Sequence, residues 1–144
     1  MLGGGLRGVV FKGKGVVKGS FRGEALVTRE PISFLGGVDP STGAVVEKGH
    51  ELRGKTLAGK ALMLPHGKGS TVGSYVLYSL AKRGLAPKAI VTVKTDLMIL
   101  TGCAISGIPL LSEVPREVLD VVKSGDIVEI DAHRGILRVV LEQV

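Results

Sequence analysis

The order of the apolar patterns along the chain restricts its fold more than any other feature. Short β-branched runs at residues 6–11, 15–17 and 24–28 come first, and each is bounded by glycine or charge. From residue 60 onward, such runs alternate with segments whose apolar residues recur at helical spacing. Strands that alternate with helices form parallel sheets, which need cover on both faces. The pattern therefore predicts one α/β domain with a large β component.

The second half of the chain predicts definite elements. Strands are expected at residues 60–64, 89–93 and 108–111, and a closing hairpin at 126–131 and 136–141. Helices are expected from about residue 72 to the glycine at 84, over 96–106, and from Pro115 to Lys123.

Residues 31–43 (PISFLGGVDPSTG) predict a long irregular loop. Its turns are expected at Gly36–Gly37 and at residues 39–43. Loops of this length in compact domains are commonly functional. The apolar side chains of Ile32, Phe34 and Leu35 predict that the loop packs against the domain.

Composition excludes several classes of protein. The 144 residues suit a single domain over 1–144, with residues 1–5 as a flexible tail. No apolar run approaches the ~18 residues that span a bilayer, and the first residues lack the apolar stretch of a signal peptide. The single cysteine, Cys103, excludes an internal disulfide or a self-contained zinc or iron–sulfur site, and its surroundings predict a buried structural thiol. We therefore expect a cytoplasmic protein. The absence of Asn and the single Gln are typical of thermophilic sources.

The net charge of +6 is unevenly distributed. Residues 1–22 carry +5 and residues 48–94 carry +8, whereas the other segments are acidic. Three interpretations remain open: a nucleic-acid surface, a site for a phosphorylated or carboxylated small molecule, or a solvated lysine face. With five aromatic residues the chain lacks a stacking platform, and no DNA- or RNA-binding motif is present. Charge therefore favours a small anion over nucleic acid.

One glycine-rich segment connects an expected strand to an expected helix. Residues 64–74 read LPHGKGSTVGS. Ligands of open α/β sheets bind beyond the carboxyl ends of strands, and the unpaired N–H groups of a helix N-terminus favour anions. The lysine precedes the second glycine, so the segment is not a P-loop. Ser70 remains open between a helix N-cap and a reactive hydroxyl.

Three stretches resemble one known family. They are EALVTREPISFLGGVDPSTG at residues 24–43, GHELRGKTLAGKALMLPHGKGSTVGSYVLYSL at 49–80 and APKAIV at 86–91. They resemble the small subunit of the aconitase X family, for which S-F-x-G-G and G-[KR]-G-S are specific, over about residues 6–141. The resemblance implies a swivelling β/β/α domain, similar to the mobile domain of aconitase.

The resemblance also implies an activity. We expect a hydro-lyase that is active only as a heterodimer of this chain with a large catalytic subunit. The large subunit, and not this chain, is expected to hold a 4Fe–4S cluster. The implied reaction is the dehydration of (R)-5-phosphomevalonate to trans-anhydromevalonate 5-phosphate in an archaeal-type mevalonate pathway. The family's catalytic serine falls on Ser70, which needs positive surroundings to act as a general base. The residues expected to bind the phosphorylated hydroxy acid are Gly67, Lys68, Gly69, Thr71, Ser33, Gly36 and Gly37, and no metal ligand is expected.

Other interpretations stay open from the sequence. A related dehydratase subunit could act on another hydroxy acid, such as cis-3-hydroxy-L-proline. A protein of a different class would be a non-catalytic basic module that binds nucleic acid. The sequence leaves undecided whether His50 or His66 takes part in catalysis, and it predicts His133 in solvent.

Overall fold

The computed structural model describes residues 7–141, so the predicted tail at residues 1–5 lies outside them. The strands within this range are β1 (Arg7–Lys12), β2 (Lys14–Val17), β3 (Ser20–Val27), β4 (Ala61–Leu64), β5 (Ala89–Thr92), β6 (Leu110–Ser112), β7 (Ile127–Asp131) and β8 (Ile136–Leu141). The helices in the same range are α1 (Phe34–Gly37), α2 (Gly73–Lys82), α3 (Leu97–Ser106) and α4 (Val118–Val121). Across residues 7–141, no helix has the length and apolar character to cross a membrane.

The parallel strands β3, β4, β5 and β6 form the middle of three layers. Alternate side chains such as Leu62, Leu64 and Ile90 pack on one face against α2 and α3. Met63 and Val91 point to the other face and pack with the antiparallel strands β7 and β8 and with α4. Burial on both faces explains why these strands are apolar throughout. The layering confirms the predicted β/β/α fold.

The sheet curls until its two ends meet. Its strand order is β1-β8-β7-β3-β4-β5-β6-β2. Strand β3 joins the two parts, because residues 20–24 pair antiparallel with β7 and residues 25–27 pair parallel with β4. The outermost strands β1 and β2 are separated in sequence only by Gly13. The two ends of the sheet therefore come together at this residue.

The predicted length of the helix over residues 115–123 is wrong. Helix α4 has only four residues, Val118–Val121. Val122 takes an extended conformation (φ −83°, ψ 132°) that buries its side chain in the core. The N–H of Lys123 then donates to Asp126 Oδ2 at 2.8 Å, which starts the turn into β7. The helix therefore ends early because burying the Val122 side chain stabilises the fold more than a further helical turn would.

The 31–43 loop is more ordered than expected. Residues Phe34–Gly37 form the single turn α1, interrupted at Leu35 and Gly36 by non-helical backbone. Ile32 and Phe34 are fully buried, as predicted. The packing prediction is wrong for Leu35, whose side chain is 46% exposed. The predicted turn at residues 39–43 is confirmed, since the N–H of Gly43 donates to Asp39 O at 2.8 Å.

Candidate active site

The predicted site segment lies at the carboxyl edge of the middle layer. Strand β4 ends at Leu64, and the residues that follow lead directly into α2. The carbonyl oxygen of Pro65 accepts the N–H groups of Val93 and Lys94, each at 3.0 Å, which ties the segment to the end of β5. This is the edge at which parallel sheets bind their ligands.

The two sequence segments expected to bind substrate contact each other here. Ile32 pairs with Gly67 in a parallel bridge, and the N–H of Lys68 donates to Ile32 O at 3.0 Å. Gly69 has φ +86°, and a Cβ placed on it would lie 2.6 Å from Ser33 Oγ. The glycine is therefore required both by its backbone conformation and by contact with Ser33. The structure therefore brings together the Ser33 loop (residues 31–43) and the Ser70 segment (residues 64–74).

Ser70 is exposed and has a defined hydrogen bond. Its Oγ accepts the N–H of Val72 at 3.0 Å, and its carbonyl accepts the N–H of Gly73 at 2.9 Å. Ser70 thus caps a turn that precedes α2. The hydroxyl acts as acceptor in this bond, so its own proton stays free. A donated N–H also favours the alkoxide form over the hydroxyl. The N-cap position of α2 is occupied by Val72, so the interpretation of Ser70 as the helix N-cap is wrong. The cap that Ser70 forms on the preceding turn is compatible with a reactive role.

The backbone around Ser70 presents donors to solvent. Within residues 7–141, the N–H groups of Gly69, Ser70 and Thr71 donate to no protein acceptor. The three residues are exposed. Gly67 differs, because it is buried and its N–H donates to Asp96 Oδ1 at 2.8 Å. An anion at this edge would therefore meet the N–H groups of residues 69–71, and a substrate contact at Gly67 stays a prediction.

Asp96 is a site residue whose full role the sequence did not reveal. Its Oδ2 accepts the N–H of Ile99 at 3.0 Å, so Asp96 is the N-cap of α3. Its Oδ1 holds the N–H of Gly67, 29 residues away. A Cβ on Gly67 would lie 2.9 Å from Asp96 Oδ2 and 2.5 Å from Met98 Cε. Gly67 therefore serves close packing between the site segment and α3.

The lysine expected to bind the substrate has a carboxylate partner. Lys68 Nζ donates to Glu47 Oε2 at 2.7 Å. Glu47 packs over Gly37, where a Cβ would lie 3.1 Å from Glu47 Oε1. Gly36 next to it has φ +85° and open space around its Cα. Sequence reasoning did not single out Glu47, and no local motif marks it.

The histidines have different surroundings. His50 is buried, its Nδ1 accepts the N–H of Leu52 at 3.0 Å, and its Nε2 lies 3.1 Å from Pro31 O. These partners require a neutral ring with the proton on Nε2, so His50 is a support for the loop. His66 is half-buried, and its Nδ1–H donates to Gly67 O at 2.7 Å. His133 is exposed, as predicted.

The chain's donor set does not fit an iron–sulfur cluster. Such clusters take several thiolates, and the sequence holds only Cys103. This thiol is buried, as predicted, and burial, together with the negative charge of Asp96, raises its pKa. Residues 7–141 bring no three His, Cys, Asp or Glu side chains together in a way that could hold a metal ion.

Comparison with known proteins gives the same family as the sequence motifs. The model of the aconitase X swivel domain matches residues 10–139. The phosphomevalonate dehydratase small subunit of Methanosarcina acetivorans is 46% identical over 132 residues, which is 92% of each chain. That of Methanothrix thermoacetophila is 54% identical over 119 residues, 83% of this chain and 86% of its own. The crystal structure of Thermococcus kodakaraensis aconitase X (holo-form) is 45% identical and covers 92% of this chain and 98% of its own, with a TM-score of 0.87. The chain belongs to the aconitase X swivel domain family.

Proposed function

We propose that the chain is the small subunit of a heteromeric hydro-lyase that converts (R)-5-phosphomevalonate to trans-anhydromevalonate 5-phosphate. One observation carries the proposal. An exposed Ser70, with an N–H donated to its Oγ, lies at the ligand-binding edge of a chain that aligns over 92% of its length with a phosphomevalonate dehydratase small subunit. The related substrate cis-3-hydroxy-L-proline has no comparable support.

Ser70 is the general base of this reaction. It removes a proton from the carbon next to the substrate carboxylate, and the electron pair of that C–H bond forms the new double bond. The hydroxyl group on the neighbouring carbon leaves with its bonding pair as hydroxide, and the proton now held by Ser70 converts it to water and restores the serine alkoxide. The N–H of Val72 stabilises the serine alkoxide that the step requires. Water at the exposed site is excluded once a partner covers it.

The anionic groups of the substrate meet positive charge and free donors. The phosphate and the carboxylate are both negative, and residues 48–94 carry +8. Lys68 and residues 69–71 are exposed, and within residues 7–141 the N–H groups of residues 69–71 donate to no protein acceptor. Thr71, Ser33, Gly36 and Gly37 complete the set that we assign to substrate binding. A small phosphorylated acid fits this site better than nucleic acid.

We assign the 4Fe–4S cluster to a larger partner subunit. The relatives are described as small subunits, which implies a larger one. This chain has one buried thiol and cannot supply the ligands. Leu35, Val72 and Tyr75 are 46%, 50% and 67% exposed and belong to the two site segments or to the start of α2. Apolar side chains exposed at a site suit coverage by another protein. We place the heterodimer in the cytoplasm.

Substitution of Ser70 tests the proposal. The chain is combined with its large subunit under anaerobic conditions and assayed on (R)-5-phosphomevalonate and on cis-3-hydroxy-L-proline. We expect Ser70→Ala to lower kcat by about 10²- to 10⁴-fold, the usual contribution of a general base, while co-purification of the subunits persists. Ser79→Ala on α2 is the matched control, and the isolated chain should be inactive. Near-normal turnover by Ser70→Ala would contradict the role of Ser70, and an inactive wild-type complex would contradict the substrate.

A further inference from the structure

We infer that Glu47 is a positioning residue of this site, which acts by holding in one place the ammonium group of Lys68, two residues before Ser70 in the chain. The inference rests on the proposed function and adds to it a residue outside the family motifs. Glu47 does not touch the reacting atoms in this assignment. It works through Lys68.

The backbone of Glu47 is fixed before its side chain reaches the site. The carbonyl oxygen of Gly37 accepts the N–H groups of Val46 at 2.9 Å and of Glu47 at 3.3 Å. The Glu47 side chain then passes over Gly37, where the missing Cβ leaves room for its carboxylate. Oε2 accepts Lys68 Nζ at 2.7 Å. The carboxylate therefore approaches Lys68 from a backbone that is hydrogen-bonded to Gly37 of the Ser33 loop.

The second oxygen of Glu47 argues against a purely stabilising role. Oε1 is buried and has no hydrogen-bond partner among residues 7–141. A buried acceptor without a partner lowers stability, and a carboxylate oxygen more so. An ordinary surface ion pair carries no such penalty, because water serves the second oxygen. A carboxylate retained at this cost suits a role in the site.

Lys68 needs such a partner more than an arginine would. Its ammonium is a point charge on a flexible stem, and nothing in its own geometry fixes its direction. Its backbone is held by the bond from its N–H to Ile32 O. Glu47 fixes the other end of the side chain. Because the ammonium has three donors, two remain for an anionic group of the substrate or for the alkoxide.

A double-mutant cycle in the reconstituted enzyme tests the inference. The variants are Glu47→Ala, Glu47→Gln, Lys68→Ala and the double alanine variant, each assayed for kcat and KM on (R)-5-phosphomevalonate. We expect Glu47→Ala to lower kcat about tenfold, as misplacement of a charged group does, and Glu47→Gln to keep most of the rate because its amide oxygen still accepts from Lys68. The double variant should equal Lys68→Ala. Losses that multiply, or a wild-type rate in Glu47→Ala, would overturn the inference.

An ion pair away from the site provides the matched control. Lys60 Nζ lies 3.4 Å from Glu24 Oε2 on β3. Glu24→Ala removes a carboxylate from a lysine in the same way, and we expect no change in kcat.

A measurement without turnover separates this inference from the proposed function. The ammonium ¹H–¹⁵N signal of Lys68 is recorded by NMR on the full chain. We expect it to be visible in the wild type and in Glu47→Gln and to be lost in Glu47→Ala, while the Lys60 signal responds only to Glu24→Ala. An unchanged Lys68 signal in Glu47→Ala overturns the inference. A complex inactive on phosphomevalonate contradicts the proposed function, and the NMR comparison then still decides whether Glu47 holds Lys68.

Discussion

Asp96 joins two elements through its two carboxylate oxygens, one on Gly67 N–H and one on Ile99 N–H. We expect Asp96→Ala to lower the free energy of unfolding by about 1–3 kcal/mol, because a cap is lost and a buried donor at Gly67 is left unpaired. Asp96→Asn keeps one acceptor oxygen and should lose less. Urea denaturation measures both.

The control for Asp96 is Asp120→Ala. Asp120 forms an exposed ion pair with Arg29 at 2.6 Å, and such pairs contribute about 1 kcal/mol or less. If Asp96→Ala unfolded at the same urea concentration as Asp120→Ala, the structural role given to Asp96 would be wrong.

Glu51 connects the end of β3 to the residues that follow Glu47. Its carboxylate accepts the hydroxyl of Thr28 and the N–H of Arg29, and these bonds hold the pKa of Glu51 below its ordinary 4.5. Because the folded pKa is the lower one, the stabilisation is complete above pH 4.5 and is lost as pH falls through the folded value.

We therefore expect the free energy of unfolding of Glu51→Gln to fall less steeply with decreasing pH than that of the wild type. Denaturation is followed from neutral pH down through the range below 4.5. Glu117→Gln, at an exposed site before α4, is the control and should keep the wild-type slope. A wild-type slope in Glu51→Gln would refute this origin of the acid sensitivity.

At the scale of elements, local signals predicted most of the fold. Gly84 and Gly107 follow the last turns of α2 and α3, with φ of 73° and 71°. Helices commonly end on a residue in this left-handed conformation, which favours glycine. The strand–turn–helix segment placed Ser70 correctly at the sheet edge. What the sequence could not supply are contacts between distant segments. Glu47 and Lys68 are 21 residues apart, and nothing local indicates their pairing.

The contact between the two site segments can be tested at one glycine. Gly69→Ala adds a Cβ 2.6 Å from Ser33 Oγ at φ +86°. Gly59→Ala is the matched control, because Gly59 has φ +75° and open space around it. We expect each to cost about 1 kcal/mol for the backbone conformation, and Gly69→Ala to lose a further 1 kcal/mol or so from the contact.

The turnover of Gly69→Ala and of Gly59→Ala should also differ. The Cβ on Gly69 displaces the loop that carries Ser70, so kcat should fall about tenfold in Gly69→Ala and stay unchanged in Gly59→Ala. Equal stability and equal turnover of the two variants would show that the Ser33 loop and the Ser70 segment do not contact as described.

At the scale of the whole molecule, the site and the closure of the sheet depend on different parts of the chain. The site lies where β4 and β5 end, whereas the sheet closes where β1 passes into β2. Gly13 N–H donates to Gly135 O at 2.9 Å, so the hairpin of β7 and β8 holds the closure. Sequence patterns predicted these strands but not that the ends of the sheet meet, because pairing of β1 with β8 and of β2 with β6 is long-range.

The closure depends on Gly15. A Cβ on Gly15 would lie 1.6 Å from the carbonyl oxygen of Ala132, which is backbone and cannot move aside. We expect Gly15→Ala to lower the free energy of unfolding by about 3 kcal/mol or more, because the hairpin and β2 must separate. Gly23→Ala on β3 is the control, since its Cβ would meet only the end of the Phe21 ring at 2.5 Å. The ring can swing away, so the loss should be about 1 kcal/mol. Thermal unfolding compares the two, and equal losses would mean that β2 does not pack against the β7–β8 hairpin at Gly15 as described.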